Sequence, residues 1–210
     1  MNIINFISNL DYTIIAIISA LFGAMANVLA RVLLKNVKSY NVMGLSFLMV
    51  GSTLLMLAPL FYHFNPSWTT IGLLYLIGII DAAANYFYFK SFEKSEASVA
   101  SSMLALAPII TFIGAFIFLG TQTSLSKIIL AILIMTGIII LSNDFSNFSS
   151  GYKKLNEFHK ISIFSPIMAS IFFGISSIPS KILLSNLSAI NAPTLYIFRA
   201  TIIGMVHSFL

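Results

Sequence analysis

Polar residues in this chain come in short clusters, and long apolar runs separate them. Seven runs stand out: Tyr12–Leu34, Asn41–Tyr62, Thr69–Phe89, Ala97–Leu119, Ser126–Leu141, Ile163–Leu184 and Ala192–Leu210. A helix needs roughly 20 mostly apolar residues to cross a bilayer, and each run meets or approaches that length. Membrane β-strands would instead need segments of about ten residues with alternating polarity, and Ile128–Met135 does not alternate. The pattern predicts an all-α integral membrane protein, a multi-pass helical bundle of about seven transmembrane helices. Ala24-Met25-Ala26 mimics a signal-peptide cleavage site, but the first eleven residues hold no Lys or Arg and the apolar run continues through Leu34. A cleavable signal has a basic start and a shorter core, so the first run reads as a retained helix.

Composition removes the soluble alternatives. Of 210 residues, 59% are hydrophobic and 8% charged, and the mean hydropathy is +0.99. Soluble domains carry about 25% charged residues, so a soluble enzyme or a free nucleic-acid-binding module is excluded. There is no Cys, hence no disulfide framework and no thiolate metal site. Eleven basic residues against six acidic ones give +5, but no basic patch follows a phosphate backbone, and no nucleic-acid partner is expected. Loops one, three and five hold Arg31, Lys35, Lys38, Lys90, Lys94, Lys153, Lys154 and Lys160, whereas the opposite side holds little beyond Lys127 and Lys181. That bias puts the odd loops in the cytoplasm and the N-terminus outside.

The first and sixth runs align without a gap when the chain is shifted by 150 positions. Ser19-Ala20-Leu21-Phe22 falls on Ala169-Ser170-Ile171-Phe172, and Arg31, Asn36 and Asn41 fall on Lys181, Asn186 and Asn191. A repeat unit thus holds five helices. Because five is odd, the second copy enters the membrane from the opposite side, the inverted-repeat plan of many transporters. The organisation is then a first unit at 12–143, a polar linker at 144–162 and the opening of a second unit at 163–210. A complete second unit would end at roughly position 293 if both copies are equally long, so the chain reads as a fragment, a truncated product or a shortened relative.

The run Glu96-Ala97-Ser98-Val99-Ala100-Ser101-Ser102-Met103-Leu104-Ala105-Leu106-Ala107-Pro108 resembles the fourth helix of EamA-domain proteins of the drug/metabolite transporter superfamily. Gly120 after that helix, the aliphatic fifth helix with Gly137, and Gly23 with a basic residue at the end of the first helix are similar to the same family. Asp81-Ala82-Ala83-Ala84-Asn85-Tyr86 resembles the third helix of nucleotide-sugar-transporter-like solute carriers in that superfamily. The resemblance implies a membrane transporter with its N-terminus inside, against the charge bias. It departs at Gly120-Thr121-Gln122-Thr123, where family members commonly carry an acidic residue, and in the second repeat, which ten-helix members finish.

Candidate chemistry concentrates in a few intramembrane polar residues. Asp81 lies near the middle of the third run, where a charge costs about 2.5–3.5 kcal/mol on insertion scales. Gly78, Asp81, Asn85 and Tyr88 share one helix face by their spacing. They read as a stripe lining a substrate path, or as interhelical glue around Asp81. In the first helix Ser19, Gly23, Asn27 and Arg31 recur every four residues; Gly23 would permit close helix approach and Asn27 a bond across it. Arg31 reads as snorkelling to the interface, with attraction of an anionic substrate as the alternative. Ser101 sits on a small-residue face of the fourth helix. Pro108 removes a donor for the Leu104 carbonyl, giving a gate hinge or a static kink, and Pro179 poses the same question. Arg199, in the last run, should need an acidic or carbonyl partner, and Asp81 is the candidate. The fifth helix, apolar all round, should face lipid or a second copy in a homodimer.

No phosphate loop, nucleophile elbow or paired intramembrane aspartates appear. His63, His159 and His207 lack metal-ligand spacing and read as two loop residues and one at the chain's end. No enzyme activity, metal or cofactor is expected. The expected partners are the lipid bilayer and a small-molecule substrate, in the cell (inner) membrane. The reading is a secondary transporter or exporter of small metabolites working by alternating access between inverted repeats. The alternative is a non-transporting remnant or assembly subunit.

Overall fold

The structure, a computed structural model, describes residues 12–94, 97–120, 125–142, 157–186 and 189–208. Among these the elements are helices α1 (Tyr12–Leu34), α2 (Ser39–Leu57), α3 (Trp68–Lys94), α4 (Ala97–Leu104), α5 (Ala107–Leu119), α6 (Leu125–Ser142), α7 (Glu157–Lys181) and α8 (Ala192–Ser208). A 3-10 turn, Ala58–Leu60, follows α2, and a π-helical turn, Ile182–Asn186, follows α7. Among the described residues five stretches are long and apolar enough to cross a membrane: Thr13–Leu34, Ser39–Leu60, Trp68–Glu93, Ala100–Leu119 and Phe164–Ser185. The runs at Ser126–Leu141 and Ala192–Leu210 correspond to α6, with a shorter apolar core at Ile128–Gly137, and to the 17-residue α8. The chain is an all-α integral membrane bundle.

Helix α3 continues past Phe89 to Lys94, and two further elements depart from the pattern of runs. Helix α7 begins at Glu157, inside the stretch read as linker. Polar residues at a membrane helix end find water at the interface, so the backbone continues the helix past the apolar boundary. The rest of that linker, with Lys153 and Lys154, lies outside the described residues, as do Glu96 and Gln122. The fourth run is two helices rather than one, because Pro108 has no N–H for the Leu104 carbonyl. The chain turns at Ala105-Leu106, where Leu106 N–H donates to Met103 O (3.1 Å) and Ile109 and Ile110 N–H donate to Leu106 O (3.0 and 3.1 Å). From α7 the Ser170 hydroxyl reaches Met103 O at 2.9 Å and its own helix at Pro166 O at 2.8 Å, a side-chain donor of the kind that lets a broken helix survive away from water.

Helix α3 is the centre of the bundle. It packs against α7 and α8, while α2 covers α8, α5 covers α7, and α1 and α6 lie at the edges. Contacts of Asn27 and Arg31 with residues 88–93 make α1 parallel to α3. Contacts of Phe164, Phe172 and Ser176 with Phe87 and Asp81 make α7 antiparallel to α3. Helices α1 and α7 therefore run in opposite directions. Helices α2 and α8 are antiparallel too, and glycines let their backbones meet. Gly44 faces the His207 carbonyl, Gly51 faces Thr201, and Gly204 faces the Leu48 backbone, where an added Cβ would lie 3.1 Å from the amide nitrogen. Small residues supply such approaches where lipid offers no hydrophobic driving force between helices.

At one end, the segment after α2 is tied to the segment before α8. His63 N–H donates to Thr194 Oγ1 (3.1 Å), Asn65 N–H to Ala189 O (2.8 Å) and Asn191 Nδ2 to Phe61 O (2.6 Å). Phe64 and Ile190 form an antiparallel bridge there, above a core of Leu74, Ile77, Leu183 and Leu195. A second core, of Leu34, Met43, Phe89, Phe92 and Ala100, lies at the opposite end.

Candidate functional site

Near the middle of α3, the Asp81 side chain is fully buried. Its flanks, Ile79-Ile80 and Ala82-Ala83-Ala84, continue an apolar helix, so nothing on its own helix can compensate the charge. The partners come from two other helices. Ser176 of α7 donates its hydroxyl to Asp81 Oδ1 at 2.5 Å, and Arg199 of α8 forms an ion pair through Nε with Oδ2. Arg199 keeps 28% of its side chain exposed, so the pair is closed at the carboxylate and open at the guanidinium. One residue on, the Ala82 carbonyl lies 3.0 Å from His207 Nε2. A carbonyl can only accept, so Nε2 carries the proton. His207 Nδ1 is buried and has no hydrogen-bond partner among the described residues.

The remaining stripe residues point to different tasks. Asn85 is buried and turns its amide back onto Asp81 O at 2.8 Å, within its own helix. Tyr88 donates its phenol to Asn27 Oδ1 at 2.5 Å and so ties α3 to α1. Ser101 is half-buried on α4, and its carbonyl receives the Ala105 N–H at the start of the break. Gly78 carries the close approach of α3 and α8: a Cβ there would lie 2.7 Å from Ile202. At Gly23 the expected close approach is absent, because nothing lies within 4 Å of a Cβ position on that exposed face of α1. Pro179 is buried inside α7, which stays helical to Lys181, whereas the chain breaks at Pro108. Arg31, at the end of α1, is tied to α3 rather than free in the interface. Its Nη1 turns inward to Phe92 O (2.7 Å) and Glu93 O (3.0 Å), carbonyls at the negative end of α3, where a cation is stabilised.

Two residues at the site were not picked out from the sequence. Ser176 is one of several serines in α7, and only knowledge of which helix faces Asp81 distinguishes it. His207, read as lying at the chain's end, is inside α8 and two turns beyond Arg199, a spacing that was visible but had no partner to explain it.

A family model of the EamA-like transporter family matches residues 12–143. The chain belongs to the EamA-like transporter family. The match spans α1 to α6. Membership places the chain among membrane transporters of the drug/metabolite transporter superfamily, a family of transporters and not of enzymes. No curated protein and no solved structure matches the chain. The EamA-like match supplies Asp81, while Ser176 and Arg199 lie beyond it.

Proposed function

We propose that this EamA-like protein is a secondary transporter that exports small polar or amphipathic metabolites across the cell (inner) membrane. It would work by alternating access between two units of opposite orientation, with Asp81 and Arg199 at their junction. One observation carries the reading: a fully buried carboxylate of the first unit has both its partners on helices of the second. Movement of one unit against the other must then break or remake an ion pair at the centre of the bundle. A polar or charged substrate group is the natural replacement partner, since intramembrane ionisable residues mark substrate paths.

The two-unit reading has support in the crossing of α2 with α8. Gly51 meets Thr201, and these residues stand 150 positions apart, the offset that aligns the first and sixth runs. A contact between equivalent positions is what a pseudo-two-fold axis passing between α2 and α8 would produce. The bonds joining the segment after α2 to the segment before α8 would close the path on that side. The charge bias toward the opposite side then orients the N-terminus outside.

The test is counterflow or efflux in vesicles reconstituted with the protein, run beside Asp81→Asn. Wild-type flux that collapses in the variant, with the protein still folded, is the expected result. Flux unchanged by the substitution removes Asp81 from the mechanism. The complete burial of Asp81 favours a second reading, in which the pair is a tie in a non-transporting membrane protein. That reading predicts no flux for any metabolite and a loss of stability alone.

A further inference from the structure

A cleft of about 400 Å³ opens beside the end of α1, lined by Arg31, Lys35, Lys38 and Glu93 with Leu34 and Val37. Three cations from one turn of helix and the link that follows meet a single carboxylate there. Helix α2 begins beside it, with Lys38 extended at its N-cap and no side chain capping the first amides. Arg31 spends Nη1 on the α3 carbonyls. Neither Lys35 nor Lys38 has a carboxylate partner among the described residues. Uncapped amides, a helix N-terminus and clustered cations together recognise phosphate oxygens.

The carboxylate makes the cleft more selective than a basic patch. Glu93 Oε1 lies 3.8 Å from Lys90 Nζ, but Oε2 is buried and has no hydrogen-bond partner among the described residues. A buried carboxylate oxygen left unpaired is costly, and an N–H donor brought by a ligand would satisfy it. The cleft also lies at a helix end, the level of the membrane–water interface. From there the exposed side chains of Leu29, Val32 and Leu33 (59%, 56% and 54% exposed) run down α1 as an apolar track.

We propose that this cleft binds the headgroup of a phospholipid carrying both a phosphate and a primary amine, a phosphoethanolamine headgroup. The phosphate sits between Arg31, Lys35, Lys38 and the start of α2; the ammonium donates to Glu93; the acyl chains lie along α1. The site is separate from the Asp81 junction and does not depend on transport.

The test is lipid retention by the full chain, read by native mass spectrometry after release from nanodiscs of phosphatidylethanolamine or of phosphatidylcholine. Phosphatidylcholine has the same phosphate but no N–H donor on its quaternary amine. The wild type should retain phosphatidylethanolamine over phosphatidylcholine. Lys35→Gln with Lys38→Gln should weaken retention of both lipids by roughly fivefold per lysine, with an unchanged helical spectrum. Glu93→Gln should erase the preference and leave phosphate-dependent retention in place. Equal retention of the two lipids by the wild type overturns the proposal, as does retention unaffected by the double lysine substitution. Inorganic phosphate or free phosphoethanolamine binding as tightly as the lipid would make the cleft a site for soluble anions and overturn the lipid assignment.

Discussion

Removing either partner of the Asp81–Arg199 pair should destabilise the bundle unequally. The carboxylate is fully buried, whereas the guanidinium keeps 28% of its side chain exposed. In Arg199→Met the Asp81 carboxylate keeps only the Ser176 hydroxyl. Stranding a buried charge in this way costs about 3–5 kcal/mol, unless the carboxyl takes up a proton, which lowers the cost and silences the charge. In Asp81→Asn the amide oxygen can still accept from Ser176. Arg199 can swing its head outward along the exposed part of its side chain, so about 1 kcal/mol is expected. The double variant leaves no stranded charge and should recover part of the loss, with an interaction energy of about 2 kcal/mol, within the range for residues in direct contact. Equilibrium unfolding in mixed micelles, followed by circular dichroism, measures all four corners of the cycle. Two outcomes refute the reasoning: Arg199→Met no more costly than Asp81→Asn, or a cycle that is additive to within about 0.5 kcal/mol.

Four further predictions concern packing and hinges. Gly78→Ala should cost about 1–3 kcal/mol by driving a methyl group into Ile202, whereas Gly23→Ala, with open space around it, should be neutral or slightly stabilising in the same unfolding assay. Arg31→Ala should cost up to about 3 kcal/mol for the lost charged bonds and raise amide exchange in the last turn of α3, while Arg31→Lys should restore only part. Tyr88→Phe should cost about 1 kcal/mol and loosen α1 from α3, read as faster proteolysis or exchange in α1. Pro108→Ala should leave stability within about 0.5 kcal/mol yet give residue 108 a protected amide and slow vesicle flux; unchanged flux would make the break at Ala105-Leu106 a static feature.

The helices were legible because the bilayer imposes a single rule, that apolar runs of sufficient length must be helical to satisfy their own backbone. Their ends were less so. Glu157 to Ser162 and Lys90 to Lys94 look like loop by polarity, but interfacial water allows a helix to carry polar residues, and both stretches extend helices. Asp81 and Arg199 could be paired from sequence because each is a charge with few neighbours able to neutralise it. Ser176 could not, since a hydroxyl in a membrane helix is satisfied by its own backbone: Ser177 donates to Phe173 O and Ser180 to Ser176 O in the same helix. Gly23 failed as a packing signal for the opposite reason. Glycine permits close approach but does not attract a neighbour, so its presence fixes nothing without knowledge of what lies opposite, as Gly78 and Gly204 illustrate.

The glycine contacts and the charge pair bear on the same question, because both join helices on either side of the proposed unit boundary. The crossing of α2 and α8 relies on glycine and backbone contact. The Asp81–Ser176–Arg199 contacts join α3, α7 and α8, with Arg199 two residues from the Thr201 that meets Gly51. A bundle built only for stability gains little from placing an intramembrane carboxylate between three helices, since a hydrophobic replacement of similar volume is often as stable. Replacing the pair by Asp81→Leu with Arg199→Met tests that directly. Stability at or above wild type with flux abolished would separate the pair's role in transport from any role in folding, and retained flux would deny it that role.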